Sequence, residues 1–262
     1  MMEHRFPLIP GMDASGTVDA LGEGVEGWSV GDDVFGSVGK MFLGEGTLAE
    51  FATMSVASVV RKPGSIDHAA AAAVPVAGVT AWLMVEAIDV SEGDIVLAIG
   101  ASGGVGSYLV QLAANRGARV VAVCSVANAE YAGSLGAIDV IDYAASDVVD
   151  TVRSRFPDGL DAVADMHGGD VVGRLAEQIR DGGHVASAVG AADPEVFGPR
   201  GIEATNVMGN VTSAHLESLV AMIESGELKT PQLHPFSLAE AARALEVVGS
   251  GHIRGKVIVT PS

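Results

Sequence analysis

Four glycines stand close together where an apolar run ends, and their spacing is suited to binding phosphate. Gly100, Gly103 and Gly106 form the pattern G-x-x-G-x-x-G, with Gly104 inside it. Such glycines let a backbone turn sharply and approach a pyrophosphate closely, and the helix that follows offers free N–H groups and a positive dipole end. The residues predicted to contact the phosphates are Ala101, Ser102, Gly103, Gly104, Val105 and Gly106.

The same stretch admits three other interpretations. A Walker phosphate loop is excluded, because Ser107 and Tyr108 follow the last glycine where lysine and serine or threonine are required. Gly100, Ser102 and Gly104 also spell G-x-S-x-G, the nucleophile turn of acyl hydrolases, which would make Ser102 a nucleophile. The turn could also serve only to pack a helix against a strand. The last two interpretations stay open at this point.

Metal-ligating residue types are sparse and scattered. The only cysteine, Cys124, lies in an apolar run, which predicts a buried core residue and excludes an intrachain disulfide or a four-cysteine zinc site. No two histidines have the i, i+4 spacing of a helical metal site. The histidines are His4, His68, His167, His184, His215, His234 and His252. We therefore predict no metal site.

Composition limits the class of protein. The chain has 262 residues, 48% of them hydrophobic, which is enough for one large or two modest domains. Its 15 basic residues against 33 acidic ones give a formal charge of -18, which argues against nucleic acid or anionic lipid as a partner. The apolar stretch 69–85 contains Pro75 and Gly78 and is too short for a membrane span, so a buried helix is expected there. The start of the chain has no apolar signal core, which favours the cytoplasm.

From residue 79 onward, apolar runs alternate between strand and helix patterns, as in a doubly wound parallel sheet of the Rossmann type. Apolar residues at i, i+4, i+5 and i+7 after the glycines predict a helix packed on the sheet. Strands are expected at 95–99, Arg119–Cys124, 137–141, 160–166 and 184–189, and further helices at 129–135 and 170–179.

The regions on either side differ from this pattern. Residues 6–62 are short extended pieces broken by glycines, which predicts hairpins with strands near 16–18, 33–35 and 50–52. After Gly209 two helices are expected, the second opened by a capping box at Ser237 and Glu240. The final strand, Lys256–Thr260, is expected to return to the sheet of the first region rather than extend the parallel one.

Five motifs in this order resemble the medium-chain dehydrogenase/reductase superfamily, and specifically its zinc-free quinone oxidoreductase branch. They are PGMDASG (10–16), VGDDV (30–34), ASGGVG (101–106), DAVAD (161–165) and RGKV (254–257). The resemblance implies a GroES-like catalytic domain at 1–78, joined by 211–262, and a Rossmann cofactor domain at 79–210. Relatives have a longer segment before PGMDASG, so we expect an incomplete GroES-like domain. The chain is then expected to bind NADPH through its Rossmann domain but to reduce quinones poorly or not at all. The alternative is a short member that closes its site by dimerisation.

The resemblance also assigns roles to single residues. Zinc-dependent members have histidine where this chain has Met12. Thr80 and Val189 match positions beside the nicotinamide, and Tyr143 matches a tyrosine over the adenosine ribose. For Thr80 and Val189 the alternative role is packing alone, and for Tyr143 it is that of an exposed aromatic residue at a strand end.

The residues that follow the second predicted strand, Arg119–Cys124, indicate whether the cofactor is NAD or NADP. NAD-preferring folds place Asp or Glu there to bind the ribose 2′-hydroxyl, whereas this chain has Ser125 and Asn128, which leave room for a 2′-phosphate. Many relatives have lysine at the position of Asn128, so the phosphate contact is expected to be weaker here.

The expected activity is therefore hydride transfer from NADPH to a quinone or an α,β-unsaturated carbonyl compound. No residue stands out as a general acid, and solvent could supply the second proton. The alternatives are an acyl hydrolase using Ser102 and a nucleotide-binding protein without turnover. A small-molecule substrate and a homodimer are expected, with neither nucleic acid nor membrane as a partner.

Overall fold

The computed structural model describes residues 3–39 and 42–261, and the chain divides into two compact units. One unit is continuous, Thr80–Gly209, and the other combines Met1–Val79 with Asn210–Ser262. The strands are β1 (Glu3–Ile9), β2 (Asp13–Thr17), β3 (Asp33–Ser37), β4 (Phe42–Glu45), β5 (Val59–Arg61), β6 (Ile95–Ile99), β7 (Arg119–Cys124), β8 (Asp139–Asp142), β9 (Leu160–Asp165), β10 (Ile179–Ser187), β11 (Glu203–Asn206), β12 (Leu233–Ser237) and β13 (Lys256–Thr260). The α-helices are α1 (His68–Ala72), α2 (Pro75–Ala87), α3 (Gly104–Asn115), α4 (Ala129–Ser134), α5 (Val148–Arg155), α6 (Val171–Arg174), α7 (Pro194–Phe197), α8 (Ser213–Ser225) and α9 (Ala241–Gly249).

The continuous unit is built on a six-stranded parallel sheet in the order β11-β10-β9-β6-β7-β8. Every residue of β6 is buried, because a central parallel strand is covered on both faces. Chain order reverses between β6 and β9, which is the switch point at which open parallel sheets bind ligands. This confirms the predicted doubly wound sheet, and β7 has the predicted bounds.

Two predicted elements of this sheet need correction. The helix expected at 170–179 ends at Arg174 and is followed by a 3₁₀ turn, Ala176–Gln178. Ile179 is buried and pairs with Leu160 in the sheet, so β10 begins there and not at His184. Burial of an apolar side chain in the sheet therefore ends the helix early.

The split unit contains small sheets. β2, β3 and β5 form an antiparallel three-stranded sheet, and β1 pairs in parallel with β4. The strand expected at 50–52 is absent from this described segment, where Phe51 is 72% exposed and has no buried face to fill. β13 does not extend the six-stranded sheet, as expected. It pairs in parallel with β12 and does not join the antiparallel sheet of β2, β3 and β5. The capping box of Ser237 and Glu240 is confirmed, and it opens a 3₁₀ turn before α9.

Asp13 links three segments of the split unit. Its two carboxylate oxygens each accept the N–H of Val76 at 3.2 Å, at the start of α2, and Lys256 Nζ of β13 lies 3.6 Å from Oδ2. Burial raises the pKa of the Asp13 carboxyl above 3.8, although Lys256, the Val76 N–H and Ser37 all act to lower it.

Candidate cofactor site

The glycine turn between β6 and α3 leaves no room for a side chain at Gly106. Gly100 has φ +81°, in the left-handed region that favours glycine. A Cβ placed on Gly106 would lie 2.3 Å from the carbonyl oxygen of Gly100 and 2.7 Å from Cα of Ala101. Gly103, at the N-cap, is extended (φ -76°, ψ -178°), and α3 begins at Gly104. The first turn of α3 therefore lies directly against the end of β6, with its free N–H groups at the carboxyl edge of the sheet.

The glycine turn is bonded to the next strand and to the residues after it. The N–H groups of Gly100 and Ala101 both donate to the carbonyl oxygen of Val123, at 3.2 and 3.3 Å. The side-chain amide of Asn128 donates to Ser102 Oγ at 3.0 Å. The structure thus brings together two predicted cofactor residues that are far apart in sequence, one in the phosphate turn and one after the second strand.

Tyr131 supports the same helix end, and sequence reasoning missed it. Its hydroxyl donates to Ser107 Oγ at 3.0 Å, and Ser107 Oγ donates to the carbonyl oxygen of Gly103 at 2.6 Å. Tyr131 lies on α4, three residues after Asn128, and no motif marks it. Its hydroxyl helps to hold the N-cap of α3 in place.

The remaining predicted residues of this unit occupy different positions. Ser125 and Tyr143 directly follow β7 and β8, so both stand at the carboxyl edge of the sheet, and Tyr143 is 51% exposed. Val189 lies two residues beyond β10 and is 52% exposed. Val105 lies in the first turn of α3. Thr80 lies on α2 and is buried, and no hydrogen bond among the described residues joins it to the glycine turn.

A buried carboxylate that was not predicted stands at the end of β9. Asp165 has no exposed surface, and its oxygens accept the N–H groups of His167 (3.0 Å) and Gly168 (2.9 Å) and the hydroxyl of Ser187 (2.8 Å). The available signal was a carboxylate that directly follows the apolar run 162–164 and ends the strand. Asp165 and Ser187 therefore tie the ends of β9 and β10 together at the carboxyl edge.

The described residues contain no group of three or more His, Cys, Asp or Glu side chains that could hold a metal ion. Met12 is 48% exposed, and Cys124 is buried at the end of β7. A thioether in place of imidazole is a poor ligand for zinc.

Comparison with known proteins decides the family. Residues 1–64 match the model of the alcohol dehydrogenase GroES-like domain, and residues 135–259 match that of zinc-binding dehydrogenases. The chain is 32% identical to an Arabidopsis thaliana chloroplast envelope quinone oxidoreductase homolog, over 99% of the chain and 82% of that relative. It belongs to the medium-chain dehydrogenase/reductase superfamily, in its quinone oxidoreductase branch.

Two further members of the superfamily extend this result. An NADPH-dependent alkenal/one oxidoreductase, chloroplastic, from Arabidopsis thaliana is 33% identical over 98% of the chain, which spans 64% of that relative's length. The quinone oxidoreductase of Coxiella burnetii superposes with a TM-score of 0.88 at 28% identity, covering 97% of this chain and 80% of that one. The GroES-like and Rossmann fold predicted from sequence is therefore confirmed.

The names of the two Arabidopsis relatives place them in the chloroplast. In the described part of this chain, every helix is too short or too polar to cross a bilayer.

Proposed function

We propose that this chain reduces a quinone or an α,β-unsaturated carbonyl compound with NADPH. The observation that carries the proposal is the glycine turn, where Gly106 leaves no room for a side chain and Asn128 reaches across to Ser102. The names of the Arabidopsis and Coxiella relatives support both the cofactor and the substrate class.

The residues present fit a dinucleotide. The free N–H groups at the start of α3 would bind the pyrophosphate, and the absence of a Cβ at Gly106 allows the helix to start close to the strand. Ser125 and Asn128 are uncharged at the end of β7, so neither repels a 2′-phosphate. Tyr143 and Val189, both half exposed, would contact the adenosine ribose and the nicotinamide.

The cofactor supplies the hydride when it is bound. The chain's part is to bind and orient: the glycine turn fixes the phosphates, and the loop at Val189 limits where the nicotinamide can lie. A correctly oriented acceptor would then react because it is held close to the cofactor, and no side chain needs to act as a nucleophile. We assign no catalytic acid, and the second proton would come from solvent.

Fluorescence titration with NADPH and NADH, followed by quinone and enone reduction assays, tests the proposal. We expect tighter binding of NADPH than of NADH and oxidation of NADPH that depends on the acceptor. Tighter binding of NADH, or no binding of either nucleotide, would contradict it.

The hydrolase alternative is weakened by the partner of Ser102. Its Oγ accepts a hydrogen bond from the amide of Asn128, and an amide is not a general base. Ser102 should therefore resist a fluorophosphonate probe. Stoichiometric labelling at Ser102, with ester hydrolysis lost in Ser102→Ala, would favour the hydrolase.

We further propose that the enzyme works without zinc, as a homodimer, in the cytoplasm. Met12 and the single buried Cys124 support the first point. Elemental analysis should find substoichiometric zinc, and exhaustive chelation should leave nucleotide binding unchanged. Light scattering on the purified protein tests the dimer, and cell fractionation tests the location, which the chloroplast relatives leave open.

A further inference from the structure

Asp165 and Ser187 form a buried hydrogen bond in which the serine hydroxyl is the donor. Ser187 Oγ accepts two backbone N–H groups, from Val189 at 3.2 Å and Ala191 at 3.1 Å. Its own proton goes to Asp165 Oδ2, at 2.8 Å. Both side chains are fully buried. A buried hydroxyl with both acceptor positions filled needs an acceptor for its proton, and Asp165 provides it.

The other oxygen of Asp165 holds a second loop. Oδ1 accepts the N–H groups of His167 and Gly168, at 3.0 and 2.9 Å. Gly168 has φ +85°, and a Cβ placed on it would lie 3.4 Å from Cγ2 of Val189. The loop after β9 and the loop after β10 therefore meet at Val189, and one carboxylate fixes both.

This pair stands beside the glycine turn. The N–H of Met166 donates to the carbonyl oxygen of Ile99 at 3.0 Å, and a Cβ on Gly100 would be 3.5 Å from the carbonyl carbon of Met166. The loop that Asp165 holds thus lies against the start of the phosphate turn, across the switch point between β6 and β9.

We propose that Asp165 and Ser187 are positioning residues for the nicotinamide half of the cofactor. Asp165 orients the Ser187 hydroxyl, and that hydroxyl sets the backbone at Val189 and Ala191. This inference rests on the proposed function, which places the nicotinamide beside Val189. Both side chains are fully buried, so we assign them no direct contact with the cofactor.

The central test is Ser187→Ala. It leaves the N–H groups of Val189 and Ala191 without their acceptor, while the glycine turn and the adenosine side stay intact. We expect kcat to fall by about 10- to 100-fold, as for a misplacement of roughly 1 Å, with a much smaller change in KM for NADPH. Ser187→Thr keeps the hydroxyl and should restore most of kcat.

Two further variants separate positioning from loss of stability. Asp165→Asn would turn an amide N–H₂ toward Ser187 Oγ, whose acceptor positions are taken, and should lower kcat as Ser187→Ala does. Ser58→Ala removes another buried hydroxyl, which donates to the carbonyl oxygen of Ser37 at 2.7 Å in the other unit. It should leave kcat and KM unchanged, although it removes a comparable hydrogen bond.

A direct readout uses the wild-type protein without cofactor. Amide hydrogen exchange at Val189 and Ala191 should be slow although both lie outside any strand, and Ser187→Ala should accelerate it while Ser58→Ala does not. Exchange of these two amides at the unprotected rate in the wild type, or an unchanged kcat in folded Ser187→Ala, would overturn the inference. Failure of the wild type to bind NADPH would instead contradict the proposed function, and the exchange measurement would still decide whether Ser187 holds the loop.

Discussion

Among single residues, Gly106 has the most restricted surroundings at the site. In Gly106→Ala, the new methyl would overlap backbone atoms of Gly100 and Ala101, which cannot rotate away as a side chain can. The start of α3 must then move off the end of β6. We expect the free energy of unfolding to fall by about 1–3 kcal/mol and NADPH to bind at least about tenfold more weakly.

Gly133→Ala is the matched control for this prediction. Gly133 lies in α4, with nothing within 4 Å of an added Cβ, so the same substitution meets open space. It should raise the free energy of unfolding by roughly 0.4–1 kcal/mol and leave NADPH binding unchanged. Urea unfolding and fluorescence titration measure both effects. Equal nucleotide affinities in the two variants would show that the turn is not a phosphate site.

Asn128 offers a test of cofactor choice. Asn128→Lys places a cation at the position predicted to face the 2′-phosphate, at the cost of the hydrogen bond to Ser102. The affinity for NADPH should rise by about 5- to 30-fold relative to NADH, since a charged contact to a phosphate is worth roughly 1–2 kcal/mol more than a neutral one. The gain should shrink with added salt. Ser154→Lys, on the exposed side of α5, adds the same charge and should leave the NADPH to NADH ratio unchanged.

Sequence patterns predicted candidate site residues that have a recognisable spacing or chain position, but did not single out residues that act through hydrogen bonds to others. The glycines and Asn128 could be proposed because a turn and a strand end have fixed places in a Rossmann unit. Asp165, Ser187 and Tyr131 were missed because their importance depends on hydrogen bonds between elements, which a linear sequence does not show.

At the scale of the elements, the N-cap of helix α5 is a carboxylate that pairs with an arginine. Asp147 accepts the N–H of Asp150 at 3.0 Å and pairs with Arg174 of α6 at 2.6 Å, and these contacts, Arg174 first, lower the pKa of the Asp147 carboxyl below 3.8. A lowered folded-state pKa stabilises the protein above the unfolded value, and this stability is lost as the pH falls through the folded one.

Asp147→Asn isolates the charge, because asparagine also caps helices well. The difference in unfolding free energy between wild type and variant should be greatest near pH 6 and should shrink below pH 3.8, as urea unfolding at several pH values would measure. Asp150→Asn breaks another exposed pair, with Arg153, and should cost little at any pH. A difference at Asp147 that grows toward low pH would contradict the assignment.

In the parallel sheet, the strand β7 has a strong apolar pattern and was predicted well, whereas the polar edge strand β11 was not predicted. β7 is buried at all but its first residue and was placed correctly. β11 is mostly exposed at the edge of the sheet, so its sequence carries no strand pattern. The helix before β10 was predicted too long because Ile179 fits a helical apolar face as well as a buried strand.

At the scale of the whole molecule, the pair of Asp13 and Lys256 joins distant parts of the chain. In Lys256→Met, Asp13 keeps its burial and loses its nearby cation, so the free energy of unfolding should fall by about 1–3 kcal/mol near neutral pH. The pKa of Asp13 is raised, so its contribution to stability is present below 3.8 and is lost as the pH rises through the folded value. Removing Lys256 raises this pKa further, and the gap to wild type should therefore widen with pH.

The double variant Asp13→Asn with Lys256→Met is the control, since it removes both charges. It should recover most of the lost stability, because no unpaired charge is then left in the buried site. Chemical unfolding of the single and double variants between pH 3 and 8 measures the coupling. Additive effects of the two substitutions would show that the side chains do not interact.

The split unit also has a consequence for synthesis on the ribosome. Asp13 leaves the exit tunnel early, whereas Lys256 is translated only after all of Thr80–Gly209. At ~5–20 residues per second, roughly 10–50 s separate the two residues. The nascent parallel sheet can therefore form while Asp13 still lacks Lys256, and apolar surface left uncovered in the segment before Thr80 can be bound by chaperones during that interval.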